Sequence, residues 1–321
     1  MKNFISLILL IVFVSQEMSS QITSIKPPSN NPSQQIEYYD SLQNFLGEKC
    51  RQYIGQEFYV IPKDEALWKY GYSDFKVNSD EIGLSYSQKQ KNNYKSTKDG
   101  YSTEYDALQG KYFYVEDVVP SGDSYIAYYI KLRNKENDEV VYFAYSSTVN
   151  SWVNFPFLVV GYFEKQKELF INQQVIIKDF PKIEGTNQRK NIDLNSGNEV
   201  IINPEEYLLC TDIALDESYS YSVSLVLKNT LEEVFLFPLF TRHYGIKRIF
   251  LKDEVEDLKS KYGDENWVLI VNQKIKVGIP EEVARLSWGE PDEINHSNSG
   301  DQWVYNGQYL YFENGKLTAW N

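Results

Sequence analysis

At 321 residues the chain has material for about two domains of ordinary size, and 42% hydrophobic against 24% charged residues excludes a largely disordered polymer. Its net charge of −13 at pH 7 disfavours nucleic acid and anionic membranes, because both are held by lysines and arginines that neutralise phosphate. With 26 Tyr and 17 Phe beside 2 Met, the composition favours strands over helices.

Residues 1–20 read as a secretion signal peptide. Lys2 supplies the positive start, 4–14 the apolar core, and Ser19-Ser20 a small-residue cleavage site before Gln21. The apolar run is too short for a membrane span, with a retained signal anchor as the alternative. Cleavage removes one Lys and one Glu, so the mature charge stays at −13. No Cys follows the apolar core for lipid attachment. The expected location is therefore the periplasm or the extracellular space, with no span left after cleavage. Residues 21–51 form a leader: 21–34 is rich in Pro, Ser and Asn, and 35–51 has Leu42, Phe45 and Leu46 at helical spacing.

The next two hundred residues carry a degenerate internal repeat. The run 111–118 (KYFYVEDV) matches 206–213 (EYLLCTDI), placing Tyr112 on Tyr207 and Asp117 on Asp212. At the same offset 130–134 (IKLRN) falls on 225–229 (LVLKN), and one residue out of step 139–143 (EVVYF) meets 233–237 (EVFLF). Upstream, 54–60 (IGQEFYV) resembles 171–177 (INQQVII), with a third echo at 271–277 (VNQKIKV). Short strands between polar turns predict two small barrel-like or sandwich-like β domains, 52–150 and 151–241. The apolar run from Phe155 to Val160 predicts a buried strand joining them across 152–163. A linker helix is expected over 252–262, within 242–266, covering Val255, Leu258 and Lys259.

The segment 267–321 is the most legible. It predicts a strand from Trp267, a helix over 280–288, a polar loop, then a three-stranded antiparallel meander. Pro280 suits the start of a helix, Glu281 and Glu282 its positive end, and Gly289 with Pro291 its stop. Asn306-Gly307 and Asn314-Gly315 supply two type I′ hairpin turns. Strands 302–305, 308–313 and 316–320 then put Trp303, Tyr305, Leu310, Phe312, Leu317 and Ala319 on a core face. The opposite face presents Val304, Tyr309, Tyr311 and Trp320, a candidate interaction surface for protein or for the flat faces of sugars. The fold expected is thus mainly β (α+β): two repeated β domains followed by a helix on a meander.

The motifs Val277-Gly278-Ile279-Pro280 to Val283, Trp288-Gly289-Glu290-Pro291, Gln302 to Tyr305 and Tyr309 to Leu317 together resemble the SmpA/OmlA (BamE-like) domain. That resemblance covers 267–321 and implies a helix-plus-sheet module of envelope proteins, akin to β-lactamase-inhibitor-like folds. Two departures stand out: Pro280 replaces the usual Thr or Ser cap, and the family's acylated N-terminal Cys has no counterpart. Fold, not function, carries over.

Groups for chemistry are scarce. His243 and His296 lie in different segments, and no H-E-x-x-H, G-x-S-x-G, S-x-x-K or Gly-rich phosphate loop occurs. Cys50 and Cys210, the two cysteines, lack zinc spacing; in an oxidising compartment they could form one disulfide, or remain two small buried residues. Glu116/Asp117 and Glu205/Glu206 are the nearest approach to paired carboxylates for a hydrolase, yet Asp117 and Asp212 recur with the repeat, as turn residues do. The acidic run 253–257 has no glycine bend for Ca²⁺ and reads as a solvated helix face. No cofactor or metal is expected. The function expected is a non-catalytic envelope scaffold that contacts another envelope protein, with glycan binding and carboxylate hydrolysis as alternatives.

Overall fold

The computed structural model describes residues 38–321 apart from 82–83, 123–125, 149–153, 179–189, 240–246 and 299. The signal peptide and most of the leader lie outside the described residues, as does His243. The described part is mostly β, an α+β arrangement with three antiparallel sheets.

The first sheet contains β1 (Glu57–Val60), β2 (Phe75–Lys76), β3 (Tyr112–Pro120), β4 (Tyr128–Asn134), β5 (Val140–Tyr145) and β6 (Phe157–Val159), in the order β2-β5-β4-β3-β1-β6. Short helices α1 (Tyr86–Lys91) and α2 (Tyr105–Leu108) occupy the long β2–β3 connection. The second sheet contains β7 (Gln174–Ile177), β8 (Leu208–Asp216), β9 (Ser222–Lys228), β10 (Val234–Pro238) and β11 (Ile249–Leu251), in the order β10-β9-β8-β7-β11. Helix α3 (Val160–Phe170) follows β6 without a gap, and α4 (Lys252–Tyr262) follows β11 in the same way. Val160 to Phe163, expected as strand, is the first turn of α3.

β6 joins the two layers because its side chains alternate. Phe157 and Val159 enter the first core with Phe58, Phe113 and Phe143, while Leu158 points into the second with Val175, Leu208 and Phe235. β7 repeats the device: Val175 and Ile177 belong to the second core and Ile176 to the third. The strands are buried on both faces, which is why they read as continuous apolar runs.

The leader does not form the expected helix. Residues 38–46 are irregular and Gly47–Tyr53 is a 3₁₀ helix. Tertiary hydrogen bonds outcompete helical ones there. The Asp40 carboxylate accepts from the Leu42 N–H (2.9 Å), and the Tyr53 hydroxyl donates to Asn44 O (2.8 Å) while accepting from the Leu46 N–H (2.8 Å). Cys50 lies in the first core and Cys210 in the second, both free and fully buried, so no disulfide joins them. Burial pushes the thiols up, to about 11 for Cys50 and about 12 for Cys210.

The C-terminal part contains α5 (Asp264–Val271), α6 (Glu281–Trp288) and the sheet β12 (Glu293–Ser297), β13 (Gly300–Tyr305), β14 (Gln308–Glu313), β15 (Lys316–Trp320), in sequential order. Two expectations are corrected. Trp267 to Val271 is helical, with acidic Asp264 and Glu265 in the first turn and Trp267, Ile270 and Val271 buried at i, i+3, i+4. The third echo of the repeat, 271–277, therefore marks a helix end followed by left-handed Gln273 (φ 55°) rather than a strand. The polar loop holding His296 is strand β12, fixed by pairing with β13 and by Ile294 facing Trp303. Pro280 stands one residue before α6, as its cap, and Gly289 (φ 91°) ends the helix as expected.

Helix α6 lays Val283 and Ala284 on Trp303, Leu310, Phe312 and Leu317 in one core. Ala319 is exposed, contrary to the alternation. A bulge shifts the β14–β15 register between Tyr311 and Phe312, so Ala319 pairs with Tyr311 and Trp320 with Leu310. Thr318 is the extra residue, and its hydroxyl donates to Tyr311 O (3.0 Å).

Lys178, just past β7, binds this part to the second sheet. Its fully buried ammonium donates to the carbonyls of Leu286 (2.6 Å) and Ser287 (3.1 Å) in the last turn of α6. Burial, aided by nearby Arg248, pushes it down to about 7.

Candidate functional site

A cleft of about 840 Å³ lies where the first sheet meets the β8–β9 turn of the second. That volume is of the size that takes a small-molecule ligand.

One wall is the segment that leaves β1. The 3₁₀ turn Glu65–Tyr70 ends at Gly71, where φ is 55° and a Cβ would stand 1.9 Å from Thr103 O, so no side chain fits. This reversal returns Tyr72 to the wall, where its hydroxyl donates to Ile61 O (2.8 Å). Lys63 is fixed at both ends: its carbonyl accepts from the Trp68 indole N–H (2.7 Å), and its ammonium donates to Gly71 O (2.6 Å). The ammonium lies 4.7 Å over the Tyr72 ring, a cation–π contact. Behind Tyr72 the rings continue as a stack, Tyr72 on Tyr105 (5.7 Å, 7°) and Tyr105 on Trp68 (5.0 Å, 17°).

The opposite wall is the β8–β9 turn. The Asp216 carboxylate accepts from the Ser218 N–H (3.0 Å) and hydroxyl (2.6 Å) to start it. Ser220 (φ 49°) and Tyr221 (φ 54°) then adopt left-handed backbone in succession, a conformation costly for Tyr. Ser220 donates across the gap to Asp64 Oδ2 (3.1 Å), and Tyr219 is 43% exposed at the rim. Phe155, Pro156, Leu158, Tyr162 and Val223 form the floor. The remaining wall is the strap 42–45. Its Asn44 amide donates to Phe157 O (2.7 Å) and accepts from the Val159 N–H (2.8 Å), so the outer edge of β6 is capped by a side chain.

The sequence-selected residues lie elsewhere. Val304, Tyr309 and Tyr311 share the outer face of the C-terminal sheet, each half-buried, with Gln302 donating to the Tyr311 hydroxyl (3.2 Å). Trp320, 46% exposed, is moved to the other side by the bulge and does not join them. His296 is exposed on β12, its Nδ1 2.8 Å from Asp301 Oδ1. Glu116 sits at a bulge of β3 and pairs with Lys131 (2.9 Å) and Arg133. Asp117 and Asp212 each accept from the following N–H at 2.8 Å, next to bulges in β3 and β8. Glu206 accepts from Thr230, and the 253–257 run lies on α4. None of these reaches the cleft. Among the described residues, no group of three or more His, Cys, Asp or Glu could hold a metal ion, and no helix is long and apolar enough to cross a membrane.

The cleft residues carry little signal in the sequence, since they come from four separated segments. The nearest local cue is the aromatic spacing of Trp68, Tyr70 and Tyr72 around Gly71. No family model matches the chain, and neither do the curated proteins or the solved structures compared with it.

Proposed function

We propose that this chain is an exported, non-catalytic binding protein that holds a glycan in the cleft between its first two sheets. The observation that carries the reading is the chemistry of that cleft. Aromatic side chains, hydroxyls and amides line it, with one ammonium and no carboxylate, imidazole or thiol among the described lining residues. Flat aromatic faces meet the C–H faces of sugar rings, and hydroxyl and amide groups match their hydroxyls. An acid–base pair for hydrolysis is not offered there. Export rests on the signal pattern of residues 1–20.

The architecture behind the cleft is read as a duplication. In its favour, β6 meets β1 in the register by which β11 meets β7: Phe58 opposite Val159 and Val60 opposite Phe157, against Val175 opposite Leu251 and Ile177 opposite Ile249. The bulge before Asp117 matches the bulge before Asp212, and an 11-residue helix follows each closing strand. The C-terminal helix and sheet are read as a BamE-like unit on the motifs that suggested it.

Screening the chain from Gln21 against an oligosaccharide panel by saturation-transfer NMR tests the reading. Binding by at least one sugar, lost in Tyr219→Ala with the fold retained, is expected; a panel without a single binder refutes it. A second reading, contact with an envelope protein, draws on Val304, Tyr309 and Tyr311, a sheet face that a partner could cover. Pull-down with Tyr309→Ala/Tyr311→Ala against the parent chain addresses it.

A further inference from the structure

The cleft lining differs in charge from the protein as a whole, and the Asp64 carboxylate beside it is engaged at Oδ2 by the Ser220 hydroxyl. The chain carries a net charge of −13, yet the described cleft lining has no Asp or Glu and one cation, Lys63. The Lys63 ammonium uses one donor on Gly71 O and rests on the Tyr72 ring; among the described residues it makes no ion pair. Desolvation disfavours its charge, with Asp74 opposing that from a distance. An ammonium has three donors, so two are left for a ligand. An anionic oxygen placed there gains charge-assisted hydrogen bonds and compensates the desolvation.

We propose that the cleft is selective for a sugar that bears a carboxylate, a uronic acid residue within a short oligosaccharide, with the carboxylate on Lys63 and the ring against Tyr219. This rests on the glycan reading above and adds the charge requirement. A peptide carboxylate is less well served, because peptides laid along a sheet pair with a free strand edge. At β6 that edge is already taken by the Asn44 amide. A long polyanion is disfavoured by the acidic surface beyond the cleft, so the anion is expected singly and at the Lys63 end.

The test is calorimetric titration with a glucuronic-acid-terminated disaccharide, its glucose-terminated counterpart of the same linkage, and a tripeptide with a free C-terminal carboxylate. Parent, Lys63→Arg and Lys63→Met proteins are compared at 0.05 and 0.5 M salt, with thermal melts to verify folding. Expected are at least tenfold tighter binding of the uronic disaccharide than of the neutral one and loss of that preference in Lys63→Met. Lys63→Arg should retain it, and high salt should weaken it. Equal binding of both disaccharides, indifferent to Lys63→Met, overturns the carboxylate assignment while leaving the glycan reading intact. Binding of neither overturns both. Preferential binding of the tripeptide overturns the sugar class. Should Lys63→Met fail to fold, the two-disaccharide comparison and Lys63→Arg decide alone.

Discussion

Replacing Lys178 by Met tests whether one buried ammonium couples the second sheet to the C-terminal helix. In the folded chain Lys178 is held at about 7, against about 10.4 in an unfolded chain. The folded pKa of a base is thus lowered, so between about pH 7 and 10 the unfolded state binds more protons and stability rises with pH. The slope contributed is at most about 1.4 kcal/mol per pH unit. Below about pH 7 the native state carries the full cost of a buried charge, while the carbonyls of Leu286 and Ser287 partly compensate. Met keeps the volume, removes the charge and leaves the buried Ser287 carbonyl and the part-buried Leu286 carbonyl without this donor, at a cost of about 1–3 kcal/mol for the buried one and less for the other. Lys178→Met should therefore be close to the parent in stability at pH 6 and fall behind it by about 3 kcal/mol more by pH 9.5. Urea unfolding followed by tryptophan fluorescence suits the measurement, because Trp267, Trp288 and Trp303 all report from the C-terminal core. The buried thiols of Cys50 and Cys210 act with the opposite sign above about pH 8.5, since their pKa values are raised, but they cancel in the difference between the two proteins. A parent-minus-variant difference that stays constant from pH 6 to 9.5 refutes the reasoning.

Three further outcomes follow from the same geometry. Gly71→Ala must place a Cβ 1.9 Å from Thr103 O at a left-handed φ, so it should cost more than about 2 kcal/mol and disorder the Lys63 wall, seen as lost protection of the Tyr72 N–H in hydrogen exchange. Unchanged protection counts against this role for Gly71. Asn44→Ala removes both bonds that cap β6 and should cost about 1–3 kcal/mol, with faster exchange at the Val159 N–H; an equally protected amide contradicts the clamp. Cys50 and Cys210 should resist alkylation by iodoacetamide at pH 8 in the native protein and both react after unfolding, while a disulfide-linked peptide in an unreduced digest would contradict their separation into two cores.

By itself the sequence determined those elements whose signals are local. The turns Asn306-Gly307 and Asn314-Gly315, the bounds of α4 and the stop at Gly289 need only backbone preferences of a few residues, and all appear where the pattern puts them. The apolar run through Phe157 likewise announced a strand buried on both faces. Tertiary structure decided the rest, because competing interactions there come from distant residues. The Tyr53 hydroxyl and the partners of Asn44, more than a hundred residues away, dissolve a helix that the spacing of Leu42, Phe45 and Leu46 favoured. A bulge at Thr318, invisible to strict alternation, moves Trp320 from one side of the sheet to the other, since one extra residue inverts every side chain beyond it. The cleft was the least legible of all. Its walls are a strap, a glycine-stopped 3₁₀ turn, a strand run and a left-handed hairpin turn, and only folding brings Lys63, Asn44 and Tyr219 to the same opening.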